Sequence, residues 1–276
     1  MKRKVLAGII SITMVLGLTG CTGAAPAPAA DAAAPAAEAK TEEAADASDS
    51  DKTWIIATDT AFKPFEYTDA NGDFVGIDVD ILAAVAEDQG FKYDLQSLGW
   101  DASIAACQAG QADGMIAGAS ITEERKESGW MFSEGYYDAN QCMAVEASSD
   151  ITGFDGLKGK SVAVKTGTMS AEYAESLAGE YDFTVTYFED SPTMYQAVTG
   201  GQVAACFDDT PIMAANIKDG GLSMKLVDGT GNDPAAYGFA IFKDSSKELL
   251  DMFNAGLKNI KENGKYDEIL AKYLGE

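Results

Sequence analysis

The chain has 276 residues, is 46% hydrophobic, and sets 20 basic against 44 acidic side chains, a formal net charge of −24. That balance argues against nucleic acid and against adhesion to anionic lipid by charge, since both want a basic face. Histidine is absent, which excludes a Ser-His-Asp centre, a His-ligated zinc and imidazole acid–base chemistry.

Residues 1–21 read as a leader. Lys2, Arg3 and Lys4 precede an apolar stretch, Val5 to Leu18, too short for a comfortable membrane span. It closes on Leu18-Thr19-Gly20-Cys21, which resembles the lipobox of bacterial lipoproteins. The resemblance implies diacylglycerol on the Cys21 sulfur and a lipid bilayer anchor at the extracytoplasmic face of the cell membrane. Residues 22–50 are dominated by Ala, Pro, Glu, Asp, Thr and Ser and hold no aromatic side chain. They offer too little apolar area to offset the entropy of folding, so they read as a disordered tether.

The folded body opens with Trp54 to Thr58, an apolar run that predicts a buried strand. A loop from Asp59 to Phe65 follows, with Pro64 opposing any continuation of the strand. Asn71-Gly72 predicts a hairpin turn. A helix is predicted over 78–87, capped by Asp78, with Ile81, Leu82 and Val85 on one face. Phe91 to Leu95 alternates as a strand, a helix over 101–109 follows Trp100, and Met115 to Ala117 is a short strand. This alternation predicts a parallel α/β unit, whose ligands sit beyond the C-terminal ends of strands. Asp59, Phe62, Trp100, Ala117 and Gly118 all fall just past such ends.

Gly118 to Ile121 then turns through small residues into a short helix begun at Thr122, with Glu123 and Glu124 in its first turn. Arg125 stands directly behind that turn. A guanidinium fork beside unpaired backbone groups suits a small carboxylate.

The same grammar repeats after the strand Gln141 to Ala147. Strands are predicted over 161–164, 184–188 and 203–207. Helices start at the corner Lys165 to Met169, at Ser191-Pro192 with Ser191 as the cap, and at Asp208-Asp209-Thr210-Pro211. A strand from Tyr237 to Phe242 and helices over 246–263 and 265–273 complete the chain. The chain is predicted to cross between two lobes near 140–145 and to return near 234–239, and two crossings make a hinge. The prediction is an α/β two-lobed fold, with lobe one in 51–141 plus 238–276 and lobe two in 142–237. Cys107, Cys142 and Cys206 have apolar or small neighbours and read as buried free thiols, a Cys142–Cys206 disulfide being the alternative.

Six segments carry a resemblance: ATDTAFKPFEY (57–67), GIDVDI (76–81), AGASITEERKESGWMFSEGYY (117–137), LKGKSVAVKTGT (157–168), FDDTP (207–211) and ENGKYDEI (262–269). With these in order, the chain from about residue 53 onward resembles the type 3 extracellular solute-binding proteins of ABC importers for polar amino acids, closest to the glutamine-binding branch. The resemblance implies a periplasmic-binding-protein-like fold, no chemistry and no cofactor. It implies a monomer that closes around one free polar amino acid and hands it to a permease with its ATPase. It assigns Arg125 to the ligand α-carboxylate, assisted by Ser120 and by the backbone of Gly118, and Asp209 to the α-ammonium. Asp59 falls at the ammonium or side-chain end, Phe62 and Trp100 over the aliphatic part, and Lys165 and Thr168 among second-lobe contacts made on closure. The chain departs from the glutamine branch at Met169, where that branch has Gly, and at Asp208, where it has His. A carboxylate at 208 can accept from an amide or pair with a cation, so arginine, lysine, histidine and cystine stand beside glutamine.

A zwitterion needs an opposite charge at each end, and Arg125 and Asp209 supply these from different lobes. One ligand bridging both lobes makes closure depend on occupancy. Two other classes suit the scaffold: a dehydratase with Asp208 or Asp59 as general acid, and a sensing component acting on a separate membrane partner.

Overall fold

A computed structural model describes residues 52–275. The leader with Cys21 and the tether over 22–50 lie outside the described residues.

The first sheet is built on the strand Thr53–Thr58, which pairs in parallel with Lys92–Ser97 on one side and Gly114–Met115 on the other. Ala240–Ile241 then lies antiparallel to Gly114–Met115 and carries Met131–Phe132 at the edge. Helices Ile77–Gln89, Lys247–Glu262 and Lys265–Leu274 pack together on this unit, and Trp100–Ala109 packs on Thr53–Thr58. The apolar faces of the first three form one core with Ile56, Phe65, Ile81, Leu82, Val85, Phe253 and Leu257 fully or almost fully buried, while Trp100, Ala106 and Cys107 belong to a second one with Met115 and Trp130. Phe239 stacks on Phe253 at 4.5 Å. Each such side chain contributes about 1.5–3 kcal/mol by leaving water.

The second sheet runs in the order Thr184–Phe188, Ser161–Lys165, Ala205–Asp209, Gln141–Glu146, Met224–Leu226. Its first three strands are parallel, and Gln141–Glu146 runs antiparallel to both of its neighbours. Helices Met169–Tyr181, Ser191–Thr199 and Thr210–Gly220 flank it. The parallel arrangement expected from the sequence therefore holds for three adjacent strands in each sheet. Strands that follow a crossing enter antiparallel.

Between the sheets, Tyr137–Ala139 pairs antiparallel with Ala235–Tyr237 as a separate two-stranded ribbon. These are the two crossings of a two-lobed α/β periplasmic-binding-protein fold. The outward crossing falls a few residues ahead of 140–145, because Gln141 already begins the second sheet.

Two local expectations change, and the reading of the cysteines holds. Asp78 does not cap its helix: the helix starts at Ile77 behind Gly76, and Asp78 is turned into the core. Gly76 is required there, since at φ +145 a Cβ would fall 1.9 Å from the Phe65 carbonyl oxygen. Asp190, not Ser191, caps the helix Ser191–Thr199 by accepting from Thr193 N. Cys107, Cys142 and Cys206 are buried free thiols, with no Cys142–Cys206 bond.

Candidate functional site

A tight cavity of about 20 Å³ lies where the two lobes meet. Phe62, Trp100, Ala117, Gly118, Ser120 and Arg125 line it from the loops of the first sheet. Lys165, Thr168, Met169, Asp208 and Asp209 line it from the second, together with Ser170, which the sequence did not single out. Asp59 does not line the cavity; it is buried behind the wall and ion-paired with Lys165, which does.

One end is suited to an anion. Arg125 sits in the short helix Glu123–Glu127, whose cap Thr122 accepts from Arg125 N at 3.2 Å. The side chain is only 8% exposed, its Nη1 donates to the Ser120 carbonyl at 2.9 Å, and its Cζ lies 5.2 Å from the ring centroids of both Trp100 and Trp130. Burial lowers its pKa while the charges of Glu172 and Asp209 support it, and a guanidinium stays charged in any case. Thr168 of the other lobe caps the helix Met169–Tyr181, accepting from Ala171 N at 3.3 Å and donating to the Lys165 carbonyl at 2.8 Å. The first amides of a helix lack intrahelical acceptors and carry its positive end. A guanidinium from one lobe and a helix start from the other therefore share one corner.

A second group in the lining is suited to a cation. Asp209 Oδ1 accepts from Gln141 Nε2 at 2.6 Å and Ser170 Oγ at 3.3 Å, and Oδ2 accepts from the Tyr237 hydroxyl. Asp209 precedes Thr210–Gly220 at the cap position, yet its side chain makes no capping bond. Burial first, then the charge of Asp208, pushes its pKa up to about 6. Gly118 adopts φ +56, and a Cβ there would fall 2.6 Å from the Phe62 ring. Its N–H donates to Asp78 Oδ2 at 2.8 Å, so what Gly118 can offer a ligand is its carbonyl.

Asp208 is held more closely than the sequence suggested. Ser191 Oγ and Tyr195 OH each donate to Oδ2 at 2.7 Å, and Asp209 N donates to Oδ1 at 2.9 Å. Burial raises its pKa against those three bonds, which favour the charge.

The Lys165 ammonium pairs with Asp59 Oδ2 and lies 5.1 Å from the Phe62 ring centroid and 5.8 Å from that of Trp100. Asp59 Oδ1 accepts from Thr60 N at 2.6 Å. Other contacts also cross the cleft. Trp100 Nε1 donates to the Gly167 carbonyl at 3.0 Å, Asn216 Nδ2 donates to the Lys63 carbonyl at 3.3 Å, and Lys63 lies 3.6 Å from Asp219. Ile212 of the second lobe is fully buried in the core of the first. The lobes stand closed on one another.

A two-lobed α/β fold with a ribbon hinge, closed over a polar cavity lined by buried charges of both signs, defines a hinged solute-binding protein. Residues 54–276 match the model of the bacterial extracellular solute-binding proteins, family 3, and the chain belongs to that family. It is an extracytoplasmic binding protein, not an enzyme. The arginine-binding periplasmic protein of Mannheimia haemolytica is 31% identical over 225 residues, 80% of this chain and 91% of the relative. The second substrate-binding domain of Lactococcus lactis GlnP, solved in an open conformation, is 40% identical, covers 81% of this chain and 96% of its own, and superposes with a TM-score of 0.58. An ancestral arginine-binding protein solved with bound glutamine is 33% identical, covers 81% and 98%, and superposes with a TM-score of 0.73. Superposition is better on the bound relative than on the open one despite its lower identity. That agrees with the cross-cleft contacts.

Proposed function

We propose that the protein captures L-glutamine outside the cytoplasm and delivers it to the permease and ATPase of an ABC importer. Polar amino acids are the ligand class supported at the family level. The choice of glutamine rests on one observation: the Lys165 ammonium fills the aromatic-walled place beside Asp59 that a cationic ligand side chain would need. A carboxamide suits what remains. Its oxygen accepts from Lys165, and its NH₂ donates to the lone pair left on Asp208 Oδ1. The ligand carboxylate lies on Arg125 and the start of the helix Met169–Tyr181, and the ammonium on Asp209 and the Gly118 carbonyl. Phe62, Trp100 and Met169 flank the aliphatic part, and Ala117 and Ser120 complete the wall. A ligand missing one polar group would leave a buried partner unmet, and this is the source of selectivity.

On this reading lobe one is 51–141 plus 238–276 and lobe two is 142–237, to within the few residues of the crossings, Gln141 itself pairing in the second sheet, and the monomer hangs from acylated Cys21 by the 22–50 tether. Cys21→Ala should shed the protein from the membrane fraction; retention would remove the anchor from the account. A thermal-shift screen of the twenty amino acids with ornithine and cystine tests the ligand, because binding to the folded state raises its melting temperature. Glutamine should give the largest shift. A basic amino acid in first place would overturn the choice and make Asp208 the selecting group.

A further inference from the structure

Asp209 is gripped by residues at the ends of both crossings, Gln141 beside it in the second sheet and Tyr237 on the returning strand. Gln141 is the second residue after the outward crossing Tyr137–Ala139, and its Nε2 donates to Asp209 Oδ1 at 2.6 Å. Tyr237 closes the returning strand Ala235–Tyr237, and its hydroxyl donates to Asp209 Oδ2. Gln141 is 1% exposed and Tyr237 is fully buried. Gln141 is itself locked: its N–H donates to Asn232 Oδ1 at 2.7 Å, and Asn232 Nδ2 donates to Gln141 Oε1 at 2.8 Å. With Oε1 engaged by Asn232, the amide must present Nε2 to Asp209.

These bonds do no work for the helix that follows, because the Asp209 side chain does not cap it. They act on the carboxylate. An ionised carboxylate has about four acceptor sites. Gln141 and Ser170 take two on Oδ1 and Tyr237 takes one on Oδ2, which leaves one site on the wall of the cavity. Burial and Asp208 oppose the charge of Asp209, while Tyr237, Gln141 and Ser170 favour it.

We infer that Gln141 and Tyr237 are positioning residues for the ligand α-ammonium, acting through Asp209, so that the amine end of the site is built on the hinge itself. This rests on the reading of Asp209 as the ammonium partner. Removing either donor frees the carboxylate to turn or to take a proton. Ligands bearing an α-ammonium then lose affinity, and ligands without one do not.

The test compares L-glutamine with 4-carbamoylbutanoate, the same molecule with hydrogen in place of the amine, and L-arginine with 5-guanidinopentanoate as a second pair. Calorimetry is run on the full chain as wild type, Tyr237→Phe and Gln141→Leu, with melting temperatures recorded. Tyr237→Phe removes one hydroxyl only and so guards against a loss of fold in the other variant. Each variant should raise the Kd of the better-bound amino acid about tenfold and that of its deaminated partner less than twofold. Equal losses within a pair, or no loss for the amino acid, overturn the inference. Asp209→Asn separates the two layers. If it too weakens both members of a pair alike, or if neither amino acid binds the wild type, the reading of Asp209 itself falls. If it discriminates while Tyr237→Phe and Gln141→Leu do not, only the positioning role falls.

Discussion

Lys165 and Asp59 form a buried ion pair across the cleft, one from each lobe, with the ammonium set beside two aromatic rings. The protein thus supplies its own cation where a basic ligand would place one. Lys165→Ala should vacate that place and leave the Asp59 carboxylate facing Phe62 and Trp100. Glutamine affinity should fall by about 10–100-fold, or roughly 1.4–2.8 kcal/mol. Arginine should gain at least about tenfold relative to glutamine. Titration calorimetry with both ligands reads the ratio, and an unchanged ratio would refute the role given to Lys165.

Arg125→Ala should cost roughly 2–5 kcal/mol of binding, as loss of one partner of a buried charge pair does. Trp100 and Trp130 would lose a neighbour as well, so the melting temperature without ligand must be measured beside the Kd. A Kd that holds steady while the protein stays folded would remove Arg125 from the carboxylate end.

Affinity should depend on pH through Asp209, which titrates near 6. The ligand ammonium prefers the ionised carboxylate. Below that pH, binding must also displace a proton, so Kd should rise by up to about tenfold per pH unit as pH falls. Above about pH 7 it should be flat. Calorimetry from pH 5 to 7.5, in two buffers of different ionisation enthalpy, gives both the Kd and the protons released. A flat profile over that span would contradict the assignment.

Folding stability should show the reverse trend through a pair that the ligand does not reach. Glu66 and Asp78 are fully buried, and Glu66 Oε1 and Oε2 and Asp78 Oδ1 meet no donor. Two ionised carboxyls cannot bond, but a proton kept on Glu66 can be donated to Asp78. Burial pushes Glu66 well above the carboxylate range and Asp78 up to about 7, against reference values of 4.5 and 3.8. Through that window the folded state keeps protons that the unfolded chain has lost. Stability contributed by the pair is whole below about pH 4 and declines as pH climbs to about 7 and beyond. Glu66→Gln keeps a donor toward Asp78 at every pH, so urea denaturation from pH 4 to 8 should show a shallower decline than wild type. Parallel curves would show that the pair does not titrate as described.

Legibility in the sequence followed the range of each contact. Arg125 was visible because its cap, its acidic first turn and its short helix lie within four residues of it. The lining residues Phe62, Trp100, Ala117 and Gly118 were visible because parallel strands expose their C-terminal ends, a rule that needs only the order of elements. Gln141 was not, because its partner Asp209 is 68 residues away and nothing in the local pattern distinguishes it from any first residue of a strand. Asp78 and Ser191 misled for a related reason. Each is a good capping residue next to a helix start, but tertiary partners claim it: Gly118 N and Tyr136 OH for Asp78, and Asp208 for Ser191. Buried carboxylates recruit nearby donors more strongly than a helix end recruits a cap, because an unmet buried charge is the larger penalty.

The indole of Trp100 donates across the cleft to the Gly167 carbonyl and is 6% exposed. Parting of the lobes would break that bond and hand the ring to water. The chain therefore carries its own optical gauge of opening, because an indole emits at longer wavelength once solvent can relax around its excited state.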